Sequence, residues 1–134
     1  MSRDWAVAIR VNPFPGADEF GALWRAAWGE AWTGDTGAIW ARSLAHLGAY
    51  DGERLVGYLN LAWDGGTHAF LLDTTVHPDY QRRGIATRLV QAAVTEAREQ
   101  SVHWLHVDCE PQLEGFYRRC GFRPTRAGLI RIER

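Results

Sequence analysis

Lysine is absent from this chain: all 15 of its basic residues are arginine. That excludes a P-loop lysine, a Schiff-base lysine and a lysine general base, and leaves cationic work to planar guanidinium forks. Cysteine is scarce, with only Cys109 and Cys120. Two thiols cannot staple a domain of this size, and no CxxC pair offers zinc ligands, so buried thiols in a reducing compartment are expected. Long apolar runs are missing too. The longest uncharged stretch, 55–63, falls far short of the roughly 20 residues a membrane helix needs, and the start MSRDWAVAIRVNP has no signal-peptide core. A cytoplasmic protein without membrane contact is the expectation. The net charge of -1 gives no basic field for a phosphate backbone, which argues against nucleic acid as a partner. The five histidines form no HxxxH or HExxH pair, so no metal site is expected.

What is present is a globular composition, 46% hydrophobic and 23% charged, in 134 residues. A chain of that size buries about two-thirds of its unfolded surface, so residues 1–134 are read as one domain. WAVAIRV at 5–11 reads as a first strand closed by Asn12-Pro13. From Asp18, a candidate N-cap, Phe20, Trp24, Trp28 and Trp32 recur at helical spacing; Ile39, Trp40, Leu44 and Leu47 predict a second helix over 35–47. Turns at Asp51-Gly52 and Asp64-Gly65-Gly66 then mark an antiparallel meander through 54–63 and 68–76. A helix over 84–100 leads to a strand over 103–109, and this strand-helix-strand crossover predicts a parallel pair. A helix from Pro111 ends at Gly121, and 122–133 is expected to close the sheet as a strand or hairpin.

The chemistry concentrates in QRRGIA, 81–86. A helix start carries unpaired N–H groups and the positive end of the helix dipole, a place where a polyphosphate can be held. Gly84 permits close approach, Ala86 is small, and Arg82 and Arg83 add charge at the rim. A plain surface turn before a helix has the same look. The segment from LLDTTV through HPDYQRRGIA resembles the acetyl-CoA-binding motif of the GCN5-related N-acetyltransferases (GNAT), an Arg or Gln, two variable residues, Gly, any residue, then Gly or Ala; Gln81, Gly84 and Ala86 match it. EGFYRRCGFRP at 114–124 resembles the second signature of that family through Tyr117, Gly121 and Phe122.

The resemblance implies a mixed α/β fold, an antiparallel N-terminal meander joined to a splayed parallel strand pair with flanking helices. It also implies an acetyltransferase that uses acetyl-CoA as co-substrate, with an amine attacking directly. By the same resemblance, Arg82, Arg83, Gly84, Ile85, Ala86 and Thr87 hold the diphosphate. Main-chain groups of Thr74 and Val76 pair with the pantetheine, and Tyr117 protonates the departing thiolate. Phe116 and Phe122 are available to supply the packing that an aromatic on this helix would otherwise provide, leaving the Tyr117 hydroxyl to chemistry. At Glu110, seven residues before the tyrosine, many relatives have an asparagine on the CoA arm; that contact is not carried over.

A protonated amine needs a proton acceptor before it can attack. Asp73, in the middle of an apolar run, is the leading base, with satisfaction by backbone or an arginine as the competing explanation; Asp108 is second. Alternation puts Asp73 and Thr75 on one face of the strand and Leu72, Thr74 and Val76 on the other. Cys109 with His106 as nucleophile and base is disfavoured, since three residues apart on a strand they face opposite ways. Trp24, Trp28 and Trp32 read as core, and some tryptophans, Trp40 and Trp63 included, as candidates for an aromatic acceptor pocket. The acceptor is expected to be a small-molecule amine. A protein N-terminus or side chain, and a non-catalytic acyl-CoA-binding module, are the alternatives. The resemblance also allows a homodimer.

Overall fold

A computed structural model of the protein describes residues 6–133. Five strands form one mixed sheet in the order β1-β2-β3-β4-β5: β1 Val7–Val11, β2 Ser43–Asp51, β3 Arg54–Trp63, β4 His68–Val76 and β5 Trp104–Val107. The first four run antiparallel as a meander and β5 joins β4 in parallel, the arrangement expected of the crossover. Residue 5 of the predicted first strand lies outside the described residues. The crossover element is a helix, Ile85–Glu99, preceded in the chain by helices Ala17–Trp28 (α1) and Thr36–Ala41 (α2), which makes it α3; Glu114–Arg119 is α4.

Both faces of the sheet are covered. α3 lays Ile85, Leu89, Val90, Ala93 and Ala97 on Leu47, Val56, Leu59, Leu61 and Leu71. α1 lays Phe20 and Leu23 on Tyr50, Leu55 and Tyr58 of the other face, ringed by Trp24, Trp32 and Trp40. Trp28 departs from the core expectation, with 51% of its surface exposed. Gly57 sets the distance of α3 from the sheet: a Cβ there would stand 3.0 Å from the Ala49 Cβ, 3.2 Å from Leu89 and 3.3 Å from Ile85.

Three sequence expectations are corrected. The helix predicted over 35–47 stops at Ala41, and Leu44 and Leu47 belong to β2. β2 is an inner strand with both faces buried, so its apolar residues run together without the alternation that identifies a half-exposed strand. The α1 N-cap is Gly16 rather than Asp18, which sits in the first turn and there complements the helix dipole. Residues 122–133 form no strand; Leu129, Ile130 and Ile132 are more than 80% exposed. Pro124 and Gly128 break that run, and its apolar side chains meet no face they can cover.

Candidate active site

The β4–β5 ladder runs from His68–Trp104 to Leu71–Val107 and stops, while β4 continues to Val76. Past Leu71 the two strands part, and the edge of β4 facing β5 is left without a ladder partner. A bulge interrupts β4 at the same place: opposite the single β3 residue between Tyr58 and Asn60 stand both Asp73 and Thr74. Asp73 takes the left-handed conformation, φ 58°, which aspartate tolerates better than most residues. The Thr75 hydroxyl donates to the Asp73 carbonyl at 2.8 Å, and the Trp28 indole N–H donates to that hydroxyl at 3.1 Å. The extra residue breaks the expected alternation. Leu71 is buried in the α3-side core and Leu72 is exposed, yet Thr74 and Val76 share the cleft.

That cleft measures about 530 Å³ and has three sides. Thr74 and Val76 of β4 form the first, residues 80–82 and 84–87 the second, and Leu113, Phe116, Tyr117 and Arg119 the third. On the second side, Arg82 and Gly84 both adopt positive φ, 64° and 79°, and turn the chain into α3. Gln81 braces the turn by donating from Nε2 to the Val76 carbonyl at 3.3 Å. The first intrahelical bond of α3 is Arg88 N–H to Gly84 carbonyl, 3.1 Å. The N–H groups of Ile85, Ala86 and Thr87 therefore have no helical acceptor, Gly84 has no side chain to cap them, and all three residues line the cleft. Among the described residues this is a donor array without a side-chain cap, at the positive end of a fifteen-residue helix.

On the third side Tyr117 is only 7% exposed, edge-on to Phe116 at 4.9 Å and to Phe122 at 5.7 Å. Burial raises its pKa above the ordinary phenol value; the nearby Thr74 hydroxyl pulls the other way and is outweighed. The phenol is thus protonated throughout the physiological range. The Thr74 Oγ1 is itself buried with no hydrogen-bond partner: its neighbour Tyr117 exerts an influence without reaching hydrogen-bond geometry. An orphaned buried hydroxyl beside an unpaired strand edge is what a ligand rich in amides would satisfy.

Asp73 lies away from the cleft, on the face where Tyr58 is buried. Burial raises the pKa of Tyr58 to about 12, opposed by the Trp40 indole N–H donating to its hydroxyl at 2.8 Å, with the Asp73 carboxylate adding to the rise. Asp73 reaches solvent on one side and is crowded on the other, and the crowding lifts its carboxyl above the ordinary carboxylate value. Asp108 is exposed beyond the end of β5 and, like Cys109, stands outside the cleft.

Eight of the ten predicted site residues therefore line one cleft, and Asp73 and Arg83 do not. The Arg83 guanidinium lies over the Tyr80 ring, 5.1 Å from its centroid, with Arg54 at 5.5 Å, while the Tyr80 hydroxyl donates to Asp51. Tyr80, Leu113, Phe116 and Arg119 also line the cleft, and the sequence had pointed to Phe116 for packing alone. For Leu113 a signal existed, because it stands four residues before Tyr117 and that spacing shares a face on a helix.

The model of the Acetyltransferase (GNAT) family matches residues 13–122. The chain belongs to the GNAT acetyltransferase family. A GNAT-family acetyltransferase of Streptococcus pneumoniae superposes with a TM-score of 0.79 at 28% identity, covering 96% of this chain and 98% of that one. AAC(6')-Iy, solved with the bisubstrate analogue CoA-S-monomethyl-acetylneamine, shares the fold with a TM-score of 0.74 at 18% identity, covering 96% of this chain and 98% of its own. Mycothiol acetyltransferase of Mycobacterium ulcerans is 38% identical over 60 residues, 45% of this chain and 19% of that protein. The GNAT chain described here spans at most two-fifths of the length of such curated relatives.

Proposed function

We propose that the protein transfers an acetyl group from acetyl-CoA to the amine of a small molecule by direct attack. The observation that carries this reading is the set of uncapped N–H groups of Ile85, Ala86 and Thr87, facing a cleft that opens where the β4–β5 ladder ends. These donors fit a diphosphate, with charge from Arg82 and Arg119 beside them. Arg83 contributes from the rim through its stack on Tyr80. Main-chain groups of Thr74 and Val76, which have no ladder partner in β5, fit the pantetheine amides as an added strand would, with Gln81 yielding the Val76 carbonyl, and the orphaned Thr74 hydroxyl gains a partner there. The cleft volume lies within the range of ligand sites, about 300–1,000 Å³.

Acetyl-CoA supplies an activated acyl carbon. A backbone N–H at the β4 bulge polarises the thioester carbonyl. Asp73, at the bulge but outside the coenzyme cleft, takes the proton from the ammonium form of the acceptor through water, because only the neutral amine has the lone pair. Its raised pKa suits a base that must release that proton again. As the new C–N bond forms and the C–S bond breaks, Tyr117 gives its proton to the thiolate; burial, which keeps the phenol neutral, also keeps that proton available. No covalent enzyme intermediate is needed, in keeping with Cys109 standing outside the cleft. The analogue bound to AAC(6')-Iy, which joins CoA to an acetylneamine, supports a small amine as acceptor.

Release of free CoA thiol, followed across a panel of small amines, tests the proposal. At least one amine should give turnover that Asp73→Asn lowers by at least about tenfold. Tight acetyl-CoA binding with no thiol released by any amine, or by a cell-extract protein fraction, would convert the reading to a binding module.

A further inference from the structure

On the sheet face opposite α3, at the end of the β4–β5 pair remote from the cleft, two histidines meet. His68 opens β4 and His106 lies on β5; the register pairs His68 with Trp104 and Phe70 with His106, so the histidines are diagonal neighbours. Ala69, Leu71, Leu105 and Val107 pack toward α3, which by alternation sends His68, Phe70, Trp104 and His106 to the other side. There His68 Nδ1 stands 2.8 Å from His106 Nε2, with the ring centroids 5.0 Å apart. Phe70 stacks on the His106 ring at 4.5 Å and 23°. Asp64 Oδ1 accepts from the N–H groups of Gly66 at 2.7 Å and His68 at 3.3 Å, fixing the turn from which His68 projects.

We infer that His68 and His106 form a two-histidine site for a borderline divalent transition ion, Zn²⁺, Ni²⁺ or Cu²⁺. In the ion-free pair a single proton lies between the two nitrogens, one ring donating to the other. To bind an ion, the donating ring shifts that proton through solvent to its outer nitrogen. His68 then presents its Nδ1 lone pair and His106 its Nε2 lone pair, each ring with its one proton on the outer nitrogen, so neither ring changes charge. Metal–nitrogen bonds of about 2.0–2.1 Å at a tetrahedral angle need a nitrogen separation of roughly 3.4 Å, which a small rotation of the exposed His106 ring supplies. Among the described residues no group of three His, Cys, Asp or Glu side chains could hold an ion. Water therefore completes the shell, and the site is exchangeable rather than structural. Affinity should follow copper above nickel and zinc. The bound ion would clip β4 to β5 at the paired end of the two strands.

The full chain, stripped with EDTA and titrated calorimetrically with NiCl₂ and with ZnCl₂ in a non-chelating buffer, provides the test. One ion should bind per chain and saturate below about 1 mM. His68→Gln and His106→Gln should each weaken it at least about tenfold, and His103→Gln should leave it intact. No saturable heat, or binding in either Gln variant as tight as in the unsubstituted chain, overturns the site. Should a Gln variant fold poorly, ¹⁵N spectra of the histidine rings in the unsubstituted protein decide: Zn²⁺ shifts confined to His68 and His106 support the site, and shifts spread over all the histidines refute it. Both readouts are independent of acetyl transfer.

Discussion

The Trp28 indole N–H donates at 3.1 Å to the hydroxyl of Thr75, which in turn donates to the carbonyl of Asp73 at the bulge of β4. The last residue of α1 thus holds the backbone feature that turns Thr74 and Val76 into the cleft, and this accounts for a tryptophan with half its surface exposed. Trp28→Phe keeps the ring and loses the donor. One neutral hydrogen bond is worth about 1 kcal/mol, so acetyl-CoA affinity should fall roughly fivefold with the fold intact by circular dichroism. Thr75→Val should do the same and Thr75→Ser should not.

Tyr117 is nearly buried, and its phenol is held protonated. Tyr117→Phe preserves the edge-on packing with Phe116 and Phe122 and removes only the acid. Turnover measured by thiol release should drop on the order of 10²-fold while calorimetric affinity for acetyl-CoA stays nearly the same. Equal turnover in the two proteins removes Tyr117 from that role.

His46 is buried between Trp40, stacked at 4.1 Å, and Phe14, whose N–H donates to its Nε2 at 2.9 Å. Burial lowers its pKa from 6.5 to about 4. The folded state therefore binds this proton less readily than the unfolded state does, and stability falls as pH drops from 6.5 toward 4. The loss should reach about 3 kcal/mol, measured by urea unfolding across that window. His46→Gln, which cannot charge, should flatten this part of the profile.

How far the site could be read from sequence depended on whether the signal was local. The start of α3 was legible because Gly84 and the apolar spacing of Ile85, Leu89, Ala93 and Ala97 both lie within one segment. The parallel pairing of β4 and β5 followed from the crossover. β2 was not legible: its strand character comes from neighbours on both edges and both faces, and Leu44 and Leu47 happen to continue the helical spacing of Ile39 and Trp40. Nor was the bulge, because Asp73 takes its positive φ without a glycine to announce it. The place where β4 and β5 part depends on where a distant pairing ends, and local patterns do not report it.

Gly57 lets α3 lie against β3, and a methyl group there would press on Ala49, Leu89 and Ile85 at 3.0–3.3 Å. Gly57→Ala should lift the helix start from the sheet at a cost of about 1–3 kcal/mol, seen as a lower Tm. Because the lifted residues are those that open onto the cleft, acetyl-CoA affinity should fall as well.

Calorimetric titration of the purified chain with acetyl-CoA bears most directly on the account. One molecule should bind per cleft, and Gly84→Val should weaken it at least about tenfold in a protein that still folds, because a β-branched residue at φ 79° distorts the turn that presents the three N–H donors. No heat of binding at millimolar acetyl-CoA, or affinity unchanged in folded Gly84→Val, would contradict it.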